Sequence, residues 1–182
     1  YHNFADTRSL FSIPNFLDVV SNLPFLLVGL AGIAVCFVRP MNTSSSAWFT
    51  LFAGVAVVGF GSAWYHWQPT NESLLWDRLP MTVGFMGLFV ALLDEYVSER
   101  LCKVLLSPAV LLGLASVLYW HWFDDLRFYV YVQMAPLLLI PLVMVLFKAS
   151  HTHQWMLLLA LGCYGLAKVA EHFDGQLFVL TA

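Results

Sequence analysis

The feature that most constrains this chain is the recurrence of long apolar stretches separated by short polar breaks. A helix crosses a bilayer with about 20 mostly apolar residues. Six such stretches can be read: Asn15 to Val38, Ala47 to Trp67, Ser73 to Val97, Leu101 to Trp122, Leu126 to Phe147 and His153 to His172. Their edges carry chain-breaking chemistry, such as Arg39-Pro40 before the polar run Asn42 to Ser46, and Pro69 after the second stretch. Short connections make neighbouring helices antiparallel. The expected fold is all-α, a polytopic transmembrane bundle with six spanning helices in one domain over residues 1–182.

Composition agrees. Of 182 residues, 60% are hydrophobic and 10% charged, against roughly 25% charged in soluble domains. A soluble chain of this size could not hide that much apolar surface. A soluble enzyme, a disordered tail and a basic nucleic-acid binder are therefore excluded, and the net charge of −3 is too small to imply a charged partner. Arg39, Arg100, Lys103 and Lys148 fall on one side of the bundle, Arg8 and Arg127 on the other. The more basic side is expected in the cytoplasm, which puts the N-terminus outside.

The ionisable residues inside the apolar stretches are the informative ones, because charge there is costly and marks cavities or partners. Asp18, Ser21 and Asn22 stand at i, i+3 and i+4 and form one polar stripe. Ser62 and His66 stand one turn apart, and Lys168, Glu171 and His172 share a face, with Asp174 just beyond. Asp77 enters the next stretch across a short loop. A buried His, a Ser one turn back and an Asp on the neighbouring helix suit a metal hydrolase, and equally suit a structural hydrogen-bond cluster. Arg78 is expected to snorkel to the surface or pair with Glu72. Asp94 and Glu95 are expected at the membrane interface, and His2, His121, His151 and His153 in loops or at interfaces.

Gly59-x-Gly61-Ser62-x-x-x-His66, followed by Asp77 and Leu79-Pro80-Met81, resembles the signature of the alkaline ceramidases, within a superfamily of seven-helix membrane hydrolases that includes adiponectin and progestin receptor-like proteins. The longer string Trp64 to Met81, the first-helix segment Ile13 to Phe25 and Ala167-Lys168-x-x-Glu171-x-x-Asp174 are similar to the bacterial ceramidase-like branch. The resemblance implies a zinc-dependent hydrolysis of the N-acyl bond of ceramide-like membrane lipids, giving a fatty acid and a long-chain base. It implies His66 as a zinc ligand and Ser62 and Asp77 as catalytic residues. It leaves Asp18, Ser21, Asn22, Lys168, Glu171 and Asp174 as candidates for lining the cavity. The family's other two zinc ligands form a His-x-x-x-His pair on a seventh helix. That pair does not occur in this sequence. The expectation is that the chain stops at Ala182 just before that helix, that the two further His ligands lie beyond Ala182, and that the chain is inactive without them. Members with calcium use an acidic segment before the first helix, where this chain offers only Asp6 and Asn15. An ester hydrolase acting on phospholipids, or a non-catalytic receptor or transporter-like protein, are the competing readings.

Overall fold

A computed structural model describes residues 2, 4–38, 45–98, 100–147 and 154–181. These fall into helices α1 (Phe16–Val20), α2 (Leu23–Val38), α3 (Ser45–Trp67), α4 (Asn71–Tyr96), α5 (Leu101–Phe123), α6 (Arg127–Leu146), α7 (Gln154–His172) and α8 (Asp174–Thr181), with no strand among the described residues. Arg39, Lys148, His151, His153 and Ala182 lie outside the described residues. With them go part of the charge asymmetry, the His-Thr-His pair and the point past which two zinc ligands are expected.

Five segments are long and apolar enough to cross a membrane: Phe16–Val38, which joins α1 and α2, and helices α3 to α6. The sixth expected span does form a helix, α7, but it is not among these five. Gln154, Lys168 and Glu171 lower its hydropathy, so five segments meet the criterion where six spans were expected. The chain is an integral membrane protein. Apolar side chains such as Phe37, Val145 and Leu138 are left largely exposed on the outside of the bundle, as lipid contact requires.

Local chemistry explains the breaks. At the joint between α1 and α2, the Ser21 hydroxyl and the Asn22 amide both donate to the Asp18 carbonyl oxygen, at 2.8 and 2.7 Å. Pro24 sits in the first turn of α2, where no helical N–H is needed. Helix α3 ends just before Gln68-Pro69, because the residue before a proline is pushed out of the helical region. Helix α4 opens at once with a capping box, Thr70 and Ser73 exchanging backbone and side-chain hydrogen bonds. The α5 N-terminus is capped from a distance: the Asp94 carboxylate accepts from the Cys102 backbone N–H at 2.9 Å. Asp94 is 2% exposed, so at this end of the helix it is a buried cap.

Small residues set how closely the helices approach. Ala47, Gly54 and Gly61 repeat every seven residues on α3 and turn towards α4. A Cβ on Gly54 would lie 2.6 Å from the Gly84 backbone N, and one on Gly61 would run into the Trp76 carbonyl oxygen. On the opposite face, Gly59 and Ala56 take the backbone of α2 at Leu26 and Gly29. Membrane helices associate through such close packing, since lipid is as apolar as a leucine surface. Helix α7 differs: it buries no residue. It touches the bundle through contacts such as the edge-on approach of Tyr164 to Phe85, 5.6 Å between ring centroids.

Candidate active site

Between α7 and the bundle lies a cavity of about 1040 Å³. Ser62, His66 and Asp77, and the lining candidates Asp18, Lys168, Glu171 and Asp174, all border it. Ser21 and Asn22 do not. The Ser21 hydroxyl and the Asn22 amide nitrogen donate to the Asp18 carbonyl, so this part of the expected lining is corrected: two of the three residues of the first-helix stripe close a helix joint.

The centre is built from α3 and α4. Ser62 and His66 occupy the last turns of α3, and the close approach at Gly61 brings the start of α4 against them. The approach has a second cause. Pro80 has no N–H to give to the carbonyl four residues earlier, which is that of Trp76. The carbonyl that Gly61 packs against is therefore the one that α4 cannot bond internally. Asp77 follows it directly, its Cα 3.3 Å from where a Gly61 Cβ would stand, and lines the same cavity as Ser62.

The N-terminal segment lines the cavity beside His66. The Phe4 ring lies 4.6 Å from the His66 imidazole and meets Tyr65 edge-on at 5.6 Å. His2, expected to be a loop residue without a role, reaches Tyr65 Oη at 3.2 Å and Asn71 Oδ1 at 3.1 Å. The Ala5 N–H donates to Asp174 at 3.1 Å, and the Asn15 amide donates to the His66 carbonyl at 2.8 Å. Asp6 pairs with Arg8 at 2.7 Å, and that guanidinium holds the Asp6 carboxyl below the usual carboxylate range.

Arg78 departs most from expectation. It neither snorkels nor goes to Glu72. It is 8% exposed, and its guanidinium lies over the Trp120 ring at 4.1 Å and the Tyr129 ring at 5.1 Å. Tyr129, Gln133 and Tyr164 also line the cavity and were not singled out in the sequence. A signal existed: Tyr129 and Gln133 stand one turn apart in an otherwise apolar run, and Gln133 is a lone amide.

The family model described as Ceramidase matches residues 9–171, nearly the whole chain. The chain belongs to the Ceramidase family. Membership supports a ceramide-hydrolase type of function, that is, a hydrolase acting on amide bonds. Among curated proteins and among solved structures, nothing matches.

His66 Nδ1 is buried and has no hydrogen-bond partner among the described residues, so one donor atom is open. No three His, Cys, Asp or Glu side chains among the described residues stand together so as to hold a metal ion. The described residues supply one ligand and not a set. The pair expected beyond Ala182 falls outside them.

Proposed function

We propose that the protein hydrolyses the amide bond of ceramide-like membrane lipids, releasing a fatty acid and a long-chain base. The observation that supports this best is the juxtaposition of Ser62, His66 and Asp77 on one wall of a large, partly apolar cavity inside a membrane bundle. An acyl chain entering from lipid stays in apolar surroundings, which gives a physical reason for embedding the enzyme.

Zinc is the metal proposed here, with His66 as one ligand. When bound, it would supply an activated water and polarise the amide carbonyl. The steps assigned to this chain's own residues are others. The Ser62 hydroxyl is placed to donate to the oxygen that gains charge as the amide carbonyl is attacked, where a preorganised donor in a dry cavity counts most. Asp77 is placed to take a proton from the attacking water and pass it to the departing amine. Phe4 and the N-terminal segment cover His66 and limit water at the mouth. The more basic loops are proposed to face the cytoplasm, which puts His66 and its cavity mouth on the other side.

The test uses the protein with its full C-terminal sequence in lipid nanodiscs. We expect release of fatty acid from a ceramide panel, bound zinc by elemental analysis, and loss of both on chelation. Protein without zinc, with turnover indifferent to chelator and to His66→Ala, would overturn the proposal. Activity on acyl esters with none on amides would point to a phospholipid hydrolase.

A further inference from the structure

The turn just ahead of the first span combines two features that are each unfavourable in water. Leu10 and Ile13 exchange backbone hydrogen bonds at 3.2 and 3.0 Å, which makes Phe11 and Ser12 the central residues of a tight turn. Both have positive φ, 53° and 63°. Asn-Gly normally fills turns of this kind, because a bulky side chain is strained there. The ring of Phe11 gets little from the protein in return: it is 82% exposed, and Leu10 beside it 51%. A strained backbone persists only where its surroundings hold it. The base of the loop is held from within the protein. The Phe16 N–H donates to the Arg8 carbonyl at 3.1 Å, and Asn15, also at positive φ, gives its amide to the His66 carbonyl at 2.8 Å. At the tip, Phe11 meets Phe16 edge-on, 6.0 Å between ring centroids.

Phe16 is the first residue of the span Phe16–Val38, so that contact sets the depth of the tip at the edge of the bilayer. Exposed apolar side chains continue along the chain from it, through Leu17 and Val20 of α1 to Leu23 and Leu27 of α2, on the segment that crosses the membrane. We propose that the Leu10–Ile13 turn is a membrane-interface anchor, with Leu10 and Phe11 inserted at the boundary between lipid headgroups and acyl chains. Apolar and aromatic side chains are favoured there over water. The nearest charges before the turn, Asp6 and Arg8, pair with each other at 2.7 Å, which lowers the cost of standing close to lipid. The anchor fixes the N-terminal segment at the membrane surface, where its residues Phe4 and Ala5 line the cavity. Lipid contact at this turn is independent of the reaction that the cavity carries out.

The test places trifluoromethylphenylalanine at position 11 of the protein in phosphatidylcholine nanodiscs and follows its fluorine signal. Dissolved oxygen concentrates among acyl chains, and a water-soluble nickel chelate stays outside them. Nickel is expected to relax the signal about fivefold or more weakly than it relaxes the free amino acid in buffer, and oxygen about half as strongly or more as it relaxes the same probe at Phe37, exposed on α2. Nickel relaxation equal to that of the free amino acid would put the turn in water and overturn the anchor. Protection from both agents would also overturn it, since the ring would then be covered by protein. A second measurement uses the strain. Phe11→Gly removes the ring and suits a positive φ. Loss of an anchor should quicken hydrogen exchange across residues 8–16 by about threefold or more. Unchanged or slower exchange would overturn the proposal, because relief of strain would then be the whole effect. Phe11→Leu keeps an apolar side chain and should stay near the wild-type rate. Equal quickening in Phe11→Leu would overturn the proposal too, because the ring contact with Phe16 would then hold the turn in place of lipid.

Discussion

Gly61 faces the carbonyl oxygen of Trp76 so closely that a methyl group in place of its hydrogen would overlap that oxygen. The contact fixes the distance between the helix that carries Ser62 and His66 and the helix that carries Asp77. Gly61→Ala should therefore push α3 from α4, at a cost of about 1–3 kcal/mol of overpacking. Thermal unfolding in detergent should fall by several degrees and ceramide hydrolysis should fall with it. Gly162→Ala is the control: nothing lies within 4 Å of a Cβ there, so it should change neither. A Gly61→Ala protein with unchanged melting and activity would refute the close-contact argument.

Phe4 covers His66 in the same region. Phe4→Ala removes the ring that lies 4.6 Å from the imidazole. Modification of His66 by diethyl pyrocarbonate, followed by mass spectrometry, should speed up several-fold, with little change at the other histidines. If the rate at His66 stays where it was, the N-terminal segment is not what shields it.

Ser62→Ala and Asp77→Asn separate chemistry from folding. Loss of an oxyanion donor typically costs about 10²–10³ in kcat, and loss of a general acid–base about 10²–10⁴. Both variants of the full-length protein should keep their melting temperature within a few degrees and bind substrate with little change. A rate effect under about threefold for either variant would remove that residue from the mechanism.

Asp125 gives a pH prediction outside the membrane. Its carboxylate accepts two hydrogen bonds from the Arg127 Nε and one from Nη2, the latter at 2.7 Å, and Arg127 holds its pKa down to about 2. A carboxyl whose folded pKa lies below its unfolded value stabilises the fold above the unfolded pKa, near 4, and loses that contribution as pH falls towards 2. Hydrogen exchange across residues 124–127 should quicken between those values in the wild-type protein. In Asp125→Asn the same step should be absent. The pair is exposed, so the effect is local to this turn.

Much of this was legible before any coordinates. The apolar stretches located the helices to within a few residues, because the bilayer leaves a chain no other way to satisfy its backbone. The Gly-x-Gly-Ser-x-x-x-His motif and the following Asp pointed to one site, because residues one turn apart share a face whatever the tertiary fold. Arg78 was misread because helical spacing says which way a side chain leaves its own helix and not what stands opposite. The Trp120 and Tyr129 rings that hold it come from helices 42 and 51 residues further along. The capping role of Asp94 was hidden for the same reason: its partner is the N-terminus of the next helix, reached by folding back. Ser21 and Asn22 share a face with Asp18, and at the break in the helix both side chains bond its carbonyl.

The sequence by itself therefore determined a membrane-embedded helical protein, the helices' approximate ends and the membership signature around Ser62, His66 and Asp77, all of which follow from local periodicity and the cost of exposing polar backbone to lipid. The tertiary structure alone decided that an N-terminal ring packs on His66, that Ser21 and Asn22 stay out of the cavity lining, and that a buried arginine stacked on two aromatic rings reaches the same space. The ring on His66 and the stacked arginine join residues far apart in the chain, and they depend on how closely helix surfaces approach, which at Gly61 is set by the absence of a single methyl group.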